Sequence, residues 1–156
     1  MIRSPRVDDV PALFSLVRAL ARYEDLEHEV RGTEEVLREQ MFGAHPRIDG
    51  LVVDTEGVLV GFALFFHTFS TFLCKPGIYL EDLFVLPEHR RRGYGTALLR
   101  AVAKLAVERG CGRFEWTVLD WNEPAKRFYR ALGAREMSEW RVMRVTGEDL
   151  AEMAQG

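Results

Sequence analysis

The alternation of hydrophobic and polar positions switches between two periods along the chain. Apolar residues recur at helical spacing in some segments, and in others they form short Val- and Phe-rich runs typical of strands. The predicted helices cover residues 8–23, 33–42, 94–109, 124–132 and 147–154. The predicted strands cover residues 2–4, 51–54, 58–66, 78–86, 113–120 and 139–145.

Local signals mark the ends of these elements. Asp8 or Asp9 can cap the first helix, and Thr33 is the N-cap of the second. The pair Glu56–Gly57 predicts the turn of a hairpin between two strands. The run at 58–66 is apolar throughout, which indicates a strand buried on both faces.

The resulting order is β-α-α-β-β-β-α-β-α-β. Hairpin strands come before crossover helices, so we expect a mixed sheet in an α/β (α+β) fold. The chain of 156 residues contains no repeat, linker or low-complexity tract. It is therefore expected to form one domain over residues 1–156.

Composition narrows the class of function. The sequence is 47% hydrophobic and 29% charged, as in soluble globular proteins, and its formal net charge is −3. A nucleic-acid-binding domain usually has a basic surplus, which is absent, and no apolar run is long enough to cross a membrane. Two cysteines and four histidines without ligand spacing predict no metal site. We expect a cytoplasmic protein.

A basic, glycine-containing loop follows the predicted strand 78–86. Residues 88–95 read EHRRRGYG and lead into a helix, whose first N–H groups have no partner within the helix. Such a helix start binds phosphate groups, and glycine lets the backbone approach them closely. The spacing fits neither the Rossmann nor the P-loop pattern. The loop therefore predicts a phosphate-binding site at the N–H groups of residues 91–96.

The pattern Arg90-x-x-Gly93-x-Gly95 resembles the pyrophosphate-binding signature of the GNAT superfamily of acetyl-CoA-dependent N-acetyltransferases. YLEDLFV at 79–85, VLDWNEPAKRFYRALGA at 118–134 and YEDLEHEV at 23–30 resemble the diamine acetyltransferases, both spermidine/spermine-type and thialysine-type. The resemblance covers nearly the whole chain. It implies a GNAT-like, mostly antiparallel sheet with a splayed central strand pair and flanking helices, acetyl-CoA as acetyl donor, and a homodimer.

The resemblance also implies roles for matched positions. Tyr129 matches the catalytic tyrosine of the family, and Glu81 matches the glutamate assigned to the substrate amine. The implied coenzyme-binding residues are Leu83, Phe84, Val85, Arg90, Arg91, Arg92, Gly93, Tyr94, Gly95, Thr96, Asn122, Glu123, Pro124 and Ala125. The implied substrate-binding residues are Tyr23, Glu24, Glu81, Glu115, Trp116 and Thr117.

Acetyl transfer to an amine requires the neutral amine, whereas an alkylammonium with a pKa near ~10.4 is almost entirely charged at pH 7. Glu81, directly or through a water molecule, is predicted to accept the proton. Glu81 and Asp82 alternate along their strand, so they should face opposite sides of the sheet unless the strand is bulged. Tyr129, with an ordinary pKa near ~10, can donate a hydrogen bond or a proton to the leaving thiolate.

The sequence leaves the substrate open. Spermidine/spermine-type enzymes carry an acidic residue where this chain has Ser70, which favours a small amine of the thialysine or lysine kind over a polyamine. A protein lysine or N-terminus is a rival substrate. Two other classes of function remain as alternatives, a coenzyme A-binding sensor without catalysis and a nucleic-acid-binding module that uses Arg90–Arg92.

Overall fold

The computed structural model describes residues 1–155, which form two compact units, Met1–Thr117 and the residues from Val118 onward. The first unit contains all five strands. Its elements are β1 (Ile2–Arg3), α1 (Val10–Tyr23), α2 (Glu34–Phe42), β2 (Asp49–Thr55), β3 (Val58–Ser70), β4 (Lys75–Val85), α3 (Tyr94–Glu108) and β5 (Arg113–Glu115). The second unit contains α4 (Glu123–Ala131) and α5 (Gly147–Gln155).

The sheet has the strand order β1-β2-β3-β4-β5. Neighbouring strands from β1 to β4 are antiparallel, and β5 is parallel to β4. This confirms the predicted mixed, mostly antiparallel sheet and the α/β (α+β) class. The β2–β3 hairpin turns at Glu56 and Gly57, both with positive φ, as the local sequence predicts.

Strand β3 is buried on both faces. On one face, Phe62 and Leu64 pack in a cluster with Phe84 of β4 and with apolar residues of α1 and α2, including Leu13 and Met41. Helix α3 packs against β2, β3 and β4 through a buried stripe that includes Leu98 and Val102. Phe62 and Leu98 are fully buried, so these contacts contribute strongly to the stability of the first unit.

A β-bulge interrupts the pairing of β3 with β4. Leu64 lies opposite Asp82, whereas the next residue, Phe65, lies opposite Leu80, so Glu81 is an extra residue without a partner on β3. The strand is therefore bulged at Glu81, which is the condition under which Glu81 and Asp82 need not face opposite sides of the sheet. The extra residue shifts the phase of every position that follows it on β4.

Two predicted strands differ from the structure. The strand predicted over 113–120 ends at Glu115, because its parallel pairing with β4 ends at Tyr79 and later residues have no ladder partner. The strand predicted over 139–145 does not form. Within the described residues from Val118 onward no second strand exists to pair with it, and an extended segment is a strand only when its backbone groups have a partner.

The helices lie close to their predicted bounds. Thr33 caps α2 by accepting a hydrogen bond from the Val36 N–H, as predicted. Asp9 precedes α1 but makes no side-chain cap hydrogen bond to it; its carboxylate binds Arg3 instead. None of the helices in the described part of the chain is long and apolar enough to span a membrane.

Candidate active site

The loop between β4 and α3 has the backbone shape that the basic, glycine-containing sequence predicts. A short 3-10 helix, Pro87–His89, is followed by Arg91 with φ 60° and by Gly93 with φ 81° as N-cap of α3. The Gly93 carbonyl accepts the first helical hydrogen bond, from Ala97. The N–H groups of the three residues between them point out of the helix start, where an anion can be bound.

The three arginines of this loop lie in different environments. Arg90 is half-buried; its Nε donates to the Val85 carbonyl at 2.9 Å, and its guanidinium lies 4.6 Å from the centre of the Tyr23 ring and 5.5 Å from that of Phe84. Arg91 and Arg92 are exposed. Arg92 lines an open groove of about 890 Å³ beside the β2–β3 turn. Arg90 is thus engaged with the fold, while its two neighbours remain available to an anion.

The edge of β4 that faces β5 is paired only in the first half of the strand. Parallel pairing with β5 joins Gly77 to Arg113, Ile78 to Phe114 and Tyr79 to Glu115, and then stops. In the five-stranded sheet, no strand pairs with this edge of β4 from Leu80 to Val85. Leu83, Phe84 and Val85 therefore carry backbone groups that an extended ligand can bind by adding to the sheet.

Carboxylates gather where the open edge begins. Asp82 lies directly opposite Leu64, and directly paired residues of antiparallel strands share a face. Asp82 is therefore on the face of Phe62 and Phe84, which is also the face covered by α1. The Asp82 carboxyl is within electrostatic reach of Glu81, the exposed bulge residue, and of Glu24 at the end of α1.

Burial and the two neighbouring negative charges act together on Asp82. Desolvation is the larger cause, and repulsion from Glu81 and Glu24 adds to it, raising the pKa of Asp82 to about 7. Desolvation also raises the pKa of Glu24. Within residues 1–117 Asp82 has no hydrogen bond or ion pair to a cation. In this unit, neither Asp82 nor Glu81 binds an arginine.

The end of α1 brings Tyr23 and Glu24 to this cluster. The Tyr23 ring packs 6.5 Å from Phe84, centre to centre, and the Arg90 guanidinium contacts both rings. Glu27, a few residues later, is paired with Arg18 and Arg22 and is not part of the cluster. Of this acidic run, Glu24 is the residue whose charge acts on Asp82.

The residues at and after the end of β5 contact one another or β4. Glu115 forms an ion pair with Arg113 at 2.9 Å, and the Trp116 ring packs on Phe114 with their centres 4.9 Å apart. Thr117 Oγ1 lies 3.3 Å from the Tyr79 hydroxyl. These contacts place the predicted substrate-side stretch next to the last paired residue of β4.

The second unit holds the remaining predicted residues. Asn122 is buried and caps α4, its side chain accepting a hydrogen bond from the Ala125 N–H; Pro124 occupies the first turn. Glu123 pairs with Arg130 at 2.8 Å. Tyr129 lies on α4 with its ring 5.4 Å from Phe128, centre to centre.

Ser70, the departure from the spermidine/spermine-type pattern, is buried at the end of β3. Its hydroxyl accepts a hydrogen bond from the Leu73 N–H and so stabilises the β3–β4 turn. This position therefore carries a turn-forming hydroxyl in place of a negative charge. The residue that sequence reasoning set aside is Asp82. The bulge that pairs it with Leu64 depends on the register against β3, so the local sequence carries no signal for it.

Comparison with known proteins agrees with this geometry. The sequence profile of the acetyltransferase (GNAT) family matches residues 13–134. Thialysine N-epsilon-acetyltransferase of Mus musculus is 37% identical over 98% of this chain and 96% of its own length. L-ornithine N5-acetyltransferase of Arabidopsis thaliana is 33% identical over 96% of this chain and 85% of its own length.

A solved structure is similar over the same extent. An integron cassette protein from the mobile metagenome of V. cholerae superposes with a TM-score of 0.84, covering 100% of this chain and 98% of its own, at 24% sequence identity. At that identity the likeness is one of fold, and it includes the mixed sheet described above.

Proposed function

Because the chain belongs to the GNAT family of acetyltransferases, and is thereby an acyltransferase, we propose that it transfers the acetyl group of acetyl-CoA to a primary amine of a small cationic substrate. The substrate we favour is an amino acid of the thialysine, lysine or ornithine kind. The family predicted from the Arg-Gly loop and the YLEDLFV segment is confirmed.

One observation carries the proposal beyond the family. In residues 1–117, the unpaired edge of β4 begins beside Glu81 and Asp82, and Glu24 at the end of α1 is within electrostatic reach of Asp82; none of the three carboxylates has a cationic partner in this unit. An extended thioester arm can hydrogen-bond to the edge, and a cationic amine is attracted to the carboxylates. Their juxtaposition is what direct attack of an amine on a thioester in a ternary complex requires.

The roles of individual residues follow from this arrangement. The N–H groups at the start of α3, with Arg91 and Arg92, are proposed to bind the pyrophosphate of coenzyme A. A backbone N–H of residues 83–85 is proposed to stabilise the negative charge that develops on the thioester oxygen. Tyr129 is proposed to donate to the leaving thiolate, and Glu81 to act on the substrate amine.

Ser70 supports an amino-acid substrate over a polyamine. A polyamine carries additional positive charges along its length, so an acidic residue beside the site would favour it. Here a buried hydroxyl that is already engaged by the Leu73 N–H stands at that position. Similarity to both thialysine and ornithine acetyltransferases supports the same choice.

A homodimer is also proposed. Phe69, Phe72 and Leu73, at and beside the β3–β4 turn, are large apolar residues exposed in this unit. Large apolar side chains exposed close together in the sequence are a feature of protein interfaces. Sedimentation should give twice the chain mass, and replacing Phe72 with Glu should shift the protein toward the monomer; an unchanged monomer mass for the unaltered protein would contradict the assignment.

The activity is tested by following free thiol released from acetyl-CoA with separate amines: thialysine, lysine, ornithine, spermidine and putrescine. The proposal predicts selective release with the amino acids, at kcat/KM at least tenfold above that for spermidine. Preference for spermidine would leave the reaction standing and overturn the substrate class. Absence of thiol release with every amine would overturn the activity.

A further inference from the structure

The bulge in β4 places two consecutive carboxylates in unequal environments. Glu81 is the extra residue and is exposed, whereas Asp82 pairs with Leu64 and is largely covered on the face of Phe62 and Phe84. A desolvated carboxylate holds a proton more tightly than a carboxylate in water, which suits a group that must take a proton from an ammonium.

The position of Asp82 along β4 also matters. The last residue of β4 that pairs with β5 is Tyr79, and Asp82 is followed directly by the open segment from Leu83 to Val85. A thioester whose carbonyl binds the N–H groups of that segment lies next to Asp82. An amine nitrogen that approaches the thioester carbon from the α1 face is therefore on the same face of the sheet as Asp82.

None of the charged groups described around Asp82 occupies its carboxylate, so the carboxylate can accept a proton from a substrate. Glu81 on its own strand and Glu24 on α1 are both negative, and no cation of residues 1–117 binds it. The Arg90 guanidinium is held by the Val85 carbonyl and the Tyr23 ring, and Arg113 on β5 is paired with Glu115 on the same strand.

Resting on the proposed function, we infer that Asp82 is the catalytic residue that accepts the proton of the substrate ammonium, while Glu81 and Glu24 attract and hold the cation. One N–H bond of the ammonium breaks and an O–H bond forms on Asp82, which frees the nitrogen lone pair to attack the thioester carbon. The C–S bond then breaks, and its electrons leave on the coenzyme A sulfur.

The protons balance over one turnover. The second proton lost by the nitrogen goes to the thiolate, giving the amide and free coenzyme A thiol. The proton on Asp82 returns to solvent before the next cycle. One ammonium and one thioester thus become one amide, one thiol and one released proton.

The test compares pH profiles of kcat/KM for the full chain and for two neighbouring variants, Asp82→Asn and Glu81→Gln, with the best amine of the panel. Since kcat/KM reports ionisations of the free enzyme, the unaltered protein should gain activity with rising pH up to about pH 7. Asp82→Asn should lose roughly 10²–10⁴-fold in kcat/KM at pH 7 and lack this rise.

Glu81→Gln gives the matched comparison. It should keep the rise and move it to lower pH, because removing a neighbouring negative charge lowers the pKa of Asp82. Its KM for the amine should increase about tenfold, as expected from losing one attractive charge near the cation. Asp8→Asn, at an exposed carboxylate outside the site, should behave as the unaltered protein.

Three outcomes would contradict the assignment of Asp82 as proton acceptor or the function on which it rests. If Asp82→Asn keeps the rise near pH 7 while Glu81→Gln abolishes it, Glu81 is the proton acceptor and the inference is overturned. A loss in Asp82→Asn that is the same at every pH also overturns it, since that is the signature of a structural role. Absence of turnover by the unaltered protein with any amine overturns the proposed function itself.

Discussion

Replacing Asp82 with Asn should make the protein more stable at pH 8 while making it less active. The carboxyl has a pKa raised from its ordinary value of 3.8 to about 7, chiefly by desolvation and then by the charges of Glu81 and Glu24. Above that pH the folded protein contains a poorly solvated negative charge, which the neutral amide of Asn does not have.

The direction of the stability change with pH follows from where the Asp82 proton binds more tightly. Between about pH 4 and pH 7 the folded protein binds the Asp82 proton more tightly than the unfolded chain, so the free energy of unfolding decreases as pH rises. At 1.36 kcal/mol per pH unit, the full cost at pH 8 is about 4 kcal/mol. Asp82 is not fully buried, so solvent screening reduces this, and we expect a gain of about 2 kcal/mol.

Urea unfolding measures this directly. The gain of the Asp82→Asn variant over the unaltered protein should be about 2 kcal/mol at pH 8 and close to zero at about pH 3, where the carboxyl is largely protonated in both the folded and the unfolded state. Asp8→Asn serves as the control, with a change within about 0.5 kcal/mol at both pH values. A gain that does not depend on pH, or a loss of stability at pH 8, would refute the reasoning.

Three further substitutions probe the rest of the account. Arg90→Lys keeps the charge but loses the Nε hydrogen bond and the ring contacts, so it should lower the free energy of unfolding by about 2 kcal/mol. Arg92→Lys should lower it little. Equal effects of the two variants in a thermal melt would show that the contacts of Arg90 do not stabilise the fold. Phe62→Ala should cost about 3–5 kcal/mol in urea unfolding and Val107→Ala nearly nothing, because the first side chain is fully buried and the second mostly exposed. Tyr129→Phe should lower kcat by roughly 10²–10³-fold with the amine KM nearly unchanged; a rise in KM alone would place Tyr129 in binding instead.

Features set by neighbouring residues could be predicted from the sequence. The turn at Glu56 and Gly57, the Thr33 cap and the shape of the loop before α3 depend on residues close together in the chain, and the structure contains all three. The order of helices and strands through β5 is likewise local in origin. The family follows from a short motif in the context of a strand and a helix.

Features that depend on residues far apart in the sequence could not be predicted from it. The bulge at Glu81 depends on which residue of β3 faces Asp82, and the early end of β5 depends on where β4 diverges from it. The side chain of Arg90 is held by Tyr23, which is far away in the sequence. Each of these features determines the chemical environment of a predicted site residue. None of them can be recognised from the residues adjacent to it in the sequence.

The measurement that bears most directly on the central claim is thiol release from acetyl-CoA in the presence of thialysine, lysine or ornithine, with identification of the product by mass. The account predicts one thiol released for each N-acetylated amino acid formed, and collapse of both signals in Asp82→Asn at pH 7. Binding of coenzyme A without thiol release, across these amino acids, polyamines and a lysine peptide, would contradict it.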